Sequence, residues 1–256
     1  MASLEVISFD LWDTLVHDDS DESRRAQQGL RSKRAERRHL LWQAIAASAP
    51  IDYEQVARAY DVADAMFNIT WKEAHVTLRL EQRLRSVLDG LQVKLAPGAF
   101  DEVLTRTARM EVDIPPDPIA GVTAALQQLA QRYRLAICSD AIVTPGAQLR
   151  ELLDRHGLRT YFSAFAFSDE VGHSKPHRSM FDKVTGDLGV APSAMVHIGD
   201  RDHNDVKGPQ AIGARAILFT ASRANDRAST SADAICESYA ELPGVIEQLA
   251  AARWPA

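Results

Sequence analysis

Short apolar runs separated by polar segments mark the beginning and the last half of the chain. The run Val6–Phe9 is rich in β-formers and is followed by an aspartate. After residue 117, similar runs alternate with segments whose apolar residues recur at helical spacing. This alternation predicts right-handed βαβ units and a mostly parallel sheet. The later strands are predicted at residues 135–138, 162–167, 194–198, 214–219 and 234–236.

The segment between the first two predicted strands has a different pattern. Apolar residues in 24–109 recur three and four positions apart, which is typical of amphipathic helices. The prolines in 115–118 end this region, because proline is incompatible with a helix interior and keeps the preceding residue extended. We therefore predict an α/β core domain of residues 1–16 and 112–256, with an inserted all-helical domain of residues 17–111.

Composition and charge exclude several classes of function. The net charge of −6 argues against general nucleic-acid binding and against a membrane surface. The sequence has neither an apolar run long enough to cross a bilayer nor a secretory signal pattern, so we expect a cytoplasmic protein. Cys138 and Cys236 fall in predicted strands, and we expect reduced core thiols. A monomer and a homodimer are both compatible with the sequence.

Polar residues occur at the ends of the predicted strands and in the loops beside them. The carboxyl ends of strands in a doubly wound sheet face one crevice. Carboxylates with one lysine among them suit a divalent cation, and Mg²⁺ prefers hard oxygen ligands and a substrate phosphate. A carboxylate beside Mg²⁺ and an ammonium group can attack phosphorus. The residues are Asp10, Ser139, Asp140, Lys175, Asp200 and Asp205.

Four of these segments, in this order, resemble the motifs of the haloacid dehalogenase-like (HAD) hydrolase superfamily. Residues 9–15, Phe-Asp-Leu-Trp-Asp-Thr-Leu, resemble the first motif, and Ser139 occupies the Ser/Thr position of the second. Lys175-Pro176 resembles the third motif, and residues 199–205 resemble the acidic fourth motif, GD-x₃-ND. The helical insert resembles the type 1 cap of subfamily I in its position and helical character.

The resemblance implies a Rossmann-like doubly wound parallel sheet with a helical cap, and an Mg²⁺-dependent phosphatase acting on a small phosphorylated substrate. Asp10 would attack phosphorus and form an aspartyl-phosphate. Lys175 would pair with this nucleophile and with the transferring group, and Ser139 would donate a hydrogen bond to a phosphoryl oxygen. The metal ligands would be Asp10, the backbone carbonyl of Trp12, Asp200 and, directly or through water, Asp205.

Trp12 departs from the family pattern. Family phosphatases usually place a second Asp two residues after the nucleophile, where it protonates the leaving oxygen and later activates water. An indole does neither, and a general acid is typically worth about 10²–10⁴ in rate. Asp13 is adjacent, although the next residue of an extended segment usually points elsewhere.

The departure leaves three interpretations open. The first, which we favour, is a phosphatase for a substrate with a good leaving group, or one that takes its acid from the cap. The second is a haloacid dehalogenase or other C–X bond hydrolase, since halide leaves without a proton. The related phosphonate-cleaving enzymes keep Mg²⁺ but need a cap lysine, for which Lys33, Lys72 and Lys94 are available. The third is a catalytically weak ligand-binding or regulatory protein on the same scaffold.

Two features of the helical insert have alternative interpretations. The basic residues of 24–38 predict either a solvated helix face or contact with an anionic ligand or partner. Trp71 and His75 are four residues apart, which predicts one helix face. Their side chains would serve either packing or contact with a substrate.

Overall fold

The structure is a computed structural model and describes residues 3–252. At its centre is a six-stranded parallel sheet with the strand order β3-β2-β1-β4-β5-β6, so the predicted α/β fold is confirmed. This order is that of a doubly wound sheet. The strands are β1 (Val6–Phe9), β2 (Arg134–Ser139), β3 (Phe162–Phe167), β4 (Met195–Gly199), β5 (Arg215–Phe219) and β6 (Ala234–Cys236).

Helices fill the segment between β1 and β2 and cover the sheet. The helices before β2 are α1 (Asp21–Gln27), α2 (Lys33–Ala46), α3 (Tyr53–Glu73), α4 (Leu80–Gly90), α5 (Pro97–Ala108), α6 (Met110–Asp113) and α7 (Val122–Leu129). The later helices are α8 (Gly146–Arg155), α9 (Ser168–Val171), α10 (Arg178–Leu188), α11 (Gly208–Ala211) and α12 (Leu242–Ala251). None of the helices within residues 3–252 has the length and apolar character needed to cross a bilayer.

Strand β1 is buried along its whole length because it lies in the middle of the sheet with helices on both faces. Its alternate side chains enter two apolar clusters. Ile7 and Phe9 pack in the cluster that includes Leu126 of α7, whereas Val6 packs with Phe181 of α10 on the opposite face. This position fixes the end of β1, and with it the following aspartate, at the centre of the sheet edge.

The helical segment has an apolar cluster of its own. It joins α2, α3, α4 and α5, and its fully buried members include Leu41, Ile45, Val56 and Leu84. These residues recur at helical spacing in the sequence, so the predicted helical character of residues 24–109 is confirmed. Cys138 and Cys236 are unpaired and buried, as expected.

The prediction that Trp71 and His75 share a helix face is wrong. Helix α3 ends at Glu73, and His75 has a left-handed backbone with φ of 51°. The chain leaves the helix because its backbone pairs with a loop of the core. The carbonyl of His75 accepts a hydrogen bond from the N–H of Ser174 at 2.9 Å, and residue 76 forms a β-bridge with residue 173.

The basic residues of 24–38 do not form one solvated face. Lys33 is buried, and its Nζ lies 2.9 Å from carboxylate oxygens of Asp19, Asp21 and Glu111. Arg38 is also buried and pairs with carboxylates of α3. The solvated interpretation is wrong for these two residues because acidic side chains of neighbouring segments enclose them.

The helix predicted near residues 205–212 is divided. A π-helical turn, Asp202–Lys207, comes first, and α11 follows it. Such turns widen the backbone locally and are frequent at functional sites. The π-helical turn carries Asp205 back towards the end of β4, where the backbone N–H of Arg201 donates to Asp205 Oδ2 at 3.0 Å.

Candidate active site

The predicted strand-end residues meet at one edge of the sheet. Strand β1 lies between β2 and β4 and runs parallel to both, so the residues that follow these strands are neighbours. A cavity of about 210 Å³ opens there. Its lining includes Asp10, Trp12, Asp140, Lys175, Asp200 and Asp205.

Lys175 is a buried cation between two carboxylates. Its Nζ lies 2.8 Å from Asp10 Oδ1 and 2.6 Å from Asp205 Oδ1. Burial disfavours the charged amine, but the carboxylates of Asp10 and Asp205 outweigh burial and raise the pKa of Lys175 above its ordinary value. Lys175 therefore supplies a fixed positive charge beside Asp10.

Asp10, Asp200 and Asp205 form a buried cluster whose ligand oxygens lie within 4.8 Å of one another. Burial, followed by the charges of Asp205 and Asp10, raises the pKa of Asp200 to about 7. A divalent cation would relieve this repulsion, and three hard oxygen donors fit Mg²⁺. The residues of this cluster therefore fit the expected metal.

Asp205 has more partners than a simple metal ligand. Its Oδ1 contacts Lys175 Nζ and lies 3.2 Å from His197 Nε2, while Oδ2 accepts the N–H of Arg201. Burial opposes ionisation, but Lys175 and His197 outweigh it and lower the pKa of Asp205. Asp205 is thus an ionised group that orients Lys175. This role is compatible with the predicted metal contact through water.

His197 was not singled out in the sequence. It is fully buried in β4, and its Nδ1 lies 2.7 Å from the hydroxyl of Ser8 while Nε2 faces Asp205. Burial lowers the pKa of His197 and favours the neutral ring. The signal in the sequence is a histidine inside an apolar strand, where it requires polar partners.

Ser139 does not line the cavity. It is fully buried, and its hydroxyl has no hydrogen-bond partner among residues 3–252. The next residue, Asp140, faces the cavity and accepts the N–H of Lys175 at 2.9 Å. Burial raises the pKa of Asp140 to about 7. The phosphoryl contact of Ser139 thus stays a prediction.

Trp12 lines the cavity, and Asp13 does not replace the missing acid. Asp13 has a left-handed backbone with φ of 53°, and its Oδ1 accepts the backbone N–H of Asp18 at 3.2 Å. This geometry turns Asp13 into the loop after β1, and its side chain is not among those lining the cavity.

The outer part of the cavity is lined by the helical segment and the loop before it. Arg37 of α2 and Trp71 of α3 are members of this lining. Arg37 Nε and Trp71 Nε1 are buried and have no hydrogen-bond partner within the described part of the chain. Buried donors without partners are costly, so these groups suit a ligand that accepts hydrogen bonds. The sequence placed Arg37 in a basic run but did not distinguish it from its neighbours.

The lysines of the helical segment do not suit Schiff-base chemistry. Burial opposes the charge on Lys33, but Glu111, Asp21 and Asp19 outweigh it and raise the pKa of Lys33 above its ordinary value. A protonated amine held by carboxylates is not a nucleophile. Lys72 and Lys94 are exposed and do not line this cavity.

Comparisons with known proteins identify similar hydrolases. A family model of haloacid dehalogenase-like hydrolases matches residues 4–213. A phosphoglycolate phosphatase of Pectobacterium atrosepticum is 28% identical over 185 residues, which cover 71% of this chain and 76% of that protein.

Two solved structures share the fold. A HAD phosphatase of Thermococcus onnurineus matches with a TM-score of 0.64 at 20% identity, over 95% of this chain and 98% of its own. A 2-haloacid dehalogenase of Pseudomonas syringae pv. Tomato DC3000 matches with a TM-score of 0.60 at 22% identity, over 96% of this chain and 99% of its own. The same fold therefore occurs in a phosphatase and in a dehalogenase.

Proposed function

We propose that this chain, which belongs to the haloacid dehalogenase-like hydrolase family, is an Mg²⁺-dependent phosphatase with Asp10 as nucleophile. The observation that carries the proposal is the buried cluster of Asp10, Asp200 and Asp205 with Lys175 between two of its members. Such a cluster combines a nucleophile, a site for a divalent cation and a positive charge for an anionic substrate.

In the proposed reaction, an oxygen of Asp10 attacks phosphorus and the bond to the leaving oxygen breaks. Lys175 holds Asp10 in place and balances negative charge on the transferring group. Asp10, Asp200 and the carbonyl of Trp12 would hold Mg²⁺, with Asp205 as a direct or water-mediated partner. When bound, Mg²⁺ would supply charge neutralisation at the phosphoryl oxygens. Water then cleaves the aspartyl-phosphate and restores Asp10.

We infer that the substrate is a small phosphate ester with a second anionic group. Arg37 lines the cavity with an unpartnered Nε, and the indole N–H of Trp71 lies unpartnered in the same cavity. A carboxylate accepts hydrogen bonds from both types of donor. Phosphoglycolate, which the similar phosphatase of Pectobacterium atrosepticum is named for, carries such a carboxylate.

A C–X bond hydrolase is the second candidate function. Trp12 cannot protonate a leaving group, and halide leaves without a proton. The acidic cluster argues against it, since displacement of halide from carbon has no need of a cation site. A ligand-binding protein without turnover is the third, and the unpartnered Arg37 and Trp71 would serve it equally well.

A substrate panel tests these candidates. Wild-type protein is assayed with p-nitrophenyl phosphate, phosphoglycolate, glycerol 3-phosphate and 2-chloropropionate, each with Mg²⁺ and with EDTA. The proposal predicts release of inorganic phosphate that requires Mg²⁺. Release of chloride in EDTA would instead support the dehalogenase, and binding of phosphoglycolate without any turnover in the panel would support the binding protein.

A further inference from the structure

We propose that Asp18 is the general acid and base of this site, in place of the carboxylate that Trp12 excludes. The inference rests on the proposed phosphatase function and adds a catalytic residue to it. Asp18 lies in the loop between β1 and α1, eight residues after the nucleophile, and its side chain lines the same cavity as Asp10 and Trp12.

The carboxylate of Asp18 is available for chemistry. It accepts no hydrogen bond and forms no ion pair with any of residues 3–252. Its backbone is anchored, because its N–H donates to Asp13 Oδ1 and the neighbouring N–H of His17 donates to the carbonyl of Asp117 at 2.9 Å. The loop thus presents an unpaired side chain from a fixed backbone.

The other cavity carboxylates outside the metal cluster are already paired. Asp19 and Glu111 both contact Lys33 Nζ, and Glu111 also accepts the hydroxyl of Thr144. Asp140 accepts the N–H of Lys175 with one oxygen and the amide of Asn204, at 3.4 Å, with the other. Among the lining residues that the structure describes, Asp18 is therefore the carboxylate with both oxygens free outside the metal cluster.

The surroundings of Asp18 allow its carboxyl group both to donate and to accept a proton near neutral pH. Partial burial, followed by repulsion from Asp19, Glu111 and Asp13, raises the pKa of Asp18 to about 6, and the residue still has an exposed surface. The opposing positive charges are those of Lys33 and Arg201. A pKa near the working pH is what a residue needs to donate a proton in one step and accept it in the next.

Asp18 gives up one proton and recovers one in each catalytic cycle. Asp10 forms a bond to phosphorus while the bond from phosphorus to the alkoxy oxygen breaks, and protonated Asp18 gives its proton to that oxygen, which leaves as an alcohol. The resulting Asp18 carboxylate then takes a proton from water as the water oxygen attacks phosphorus. The bond between Asp10 and phosphorus breaks, inorganic phosphate is released and Asp18 is again protonated.

Substrates of different leaving-group quality test this role. An alkyl phosphate such as phosphoglycolate needs a proton on its leaving oxygen, whereas p-nitrophenolate leaves without one. We expect Asp18→Asn to lower kcat/KM for the alkyl ester by about 10²–10⁴. The value for p-nitrophenyl phosphate, which reports the first chemical step, should fall by less than about tenfold.

The pH profile gives a second readout. With the alkyl ester, kcat/KM of the wild type should fall as the pH rises through about 6, because Asp18 loses the proton it must donate. This limb should be absent from the profile of Asp18→Asn. Asp19→Asn is the comparison variant: it keeps Asp18 but removes a neighbouring charge that raises the pKa of Asp18, so the limb should persist and move to lower pH.

The outcomes separate the two proposals. Equal losses with both esters in Asp18→Asn, no loss with either, or turnover of only the aryl ester by the wild type would overturn the role of Asp18 and leave the phosphatase standing. Absence of phosphate release from any ester by the wild type with Mg²⁺ would overturn the phosphatase and the role of Asp18 together. Circular dichroism and thermal unfolding establish that each variant is folded.

Discussion

At the residue scale, the proposed substrate preference of the cavity rests on Arg37. It is half-buried, lines the cavity and has no ion pair or hydrogen bond among residues 3–252. A guanidinium in this state gains most from a ligand carrying its own negative charge. We therefore expect any preference for a second anionic group to depend on this side chain.

Replacing Arg37 tests that preference. Arg37→Met should lower kcat/KM for phosphoglycolate by about 10- to 100-fold, because a hydrogen bond to a charged group contributes about 1.5–3 kcal/mol. The value for p-nitrophenyl phosphate, which lacks a second anion, should hardly change. The control is Arg34→Met, an exposed cation on the same helix that pairs with Asp61. Equal losses for the two esters in Arg37→Met would contradict this role.

Lys33 is a residue of stability rather than of chemistry. Its ammonium joins Asp21 and Glu111, both buried, and Asp19 in the loop before α1. Removing one partner of a buried pair strands the opposite charge, which typically costs about 3–5 kcal/mol.

Lys33→Met should therefore lower the free energy of unfolding by about 3–5 kcal/mol, measured by urea denaturation at neutral pH. The change in Arg34→Met should be below about 1 kcal/mol, as for other exposed ion pairs. A Lys33→Met protein as stable as Arg34→Met would show that the buried network contributes nothing to the fold.

At the scale of elements, the end of β4 and the π-helical turn after it form one unit of the site. Gly199 ends β4, and a Cβ placed there would lie 2.3 Å from Asp205 Cγ and 2.6 Å from Asp205 Cβ. Since the turn brings Asp205 over this glycine, any larger residue displaces the carboxylate that holds Lys175.

Gly199→Ala should accordingly lower kcat/KM by about 10²-fold, the usual effect of misplacing a catalytic group by about 1 Å. Gly186→Ala is the matched control, because Gly186 lies in α10 where an added methyl group would enter open space, and this variant should gain stability from better helix propensity. Activity in Gly199→Ala equal to that of Gly186→Ala would contradict the packing of Asp205 on Gly199.

Sequence patterns predicted the strands and helices of the core, but they did not predict where α3 ends or that a π-helical turn follows β4. Period and turn residues located β3 at residues 162–167, because burial and flanking polar residues act locally. The end of α3 before His75 and the π-helical turn depend on backbone pairing with distant segments, which leaves no local signal.

At the scale of the whole molecule, the cavity lies where the helical segment meets the edge of the sheet. The inner lining comes from strand ends, and the meeting of Asp10, Lys175, Asp200 and Asp205 was predictable because parallel strands bring their carboxyl ends together. The outer lining depends on how the helices pack over that edge. Asp18 was therefore unassigned in the sequence, whereas Arg37 fell in a basic run and Trp71 was given packing and contact with a substrate as alternatives.

The central claim is that Asp10 is the nucleophile of an Mg²⁺-dependent phosphoryl transfer. The most direct test is phosphate release from p-nitrophenyl phosphate by wild-type protein and by Asp10→Asn, each assayed with Mg²⁺ and with EDTA. We predict that the substitution lowers kcat by at least about 10³-fold, as removal of a nucleophile does, and that EDTA abolishes wild-type turnover. Turnover by folded Asp10→Asn within tenfold of the wild type, or turnover that persists in EDTA, would contradict the account.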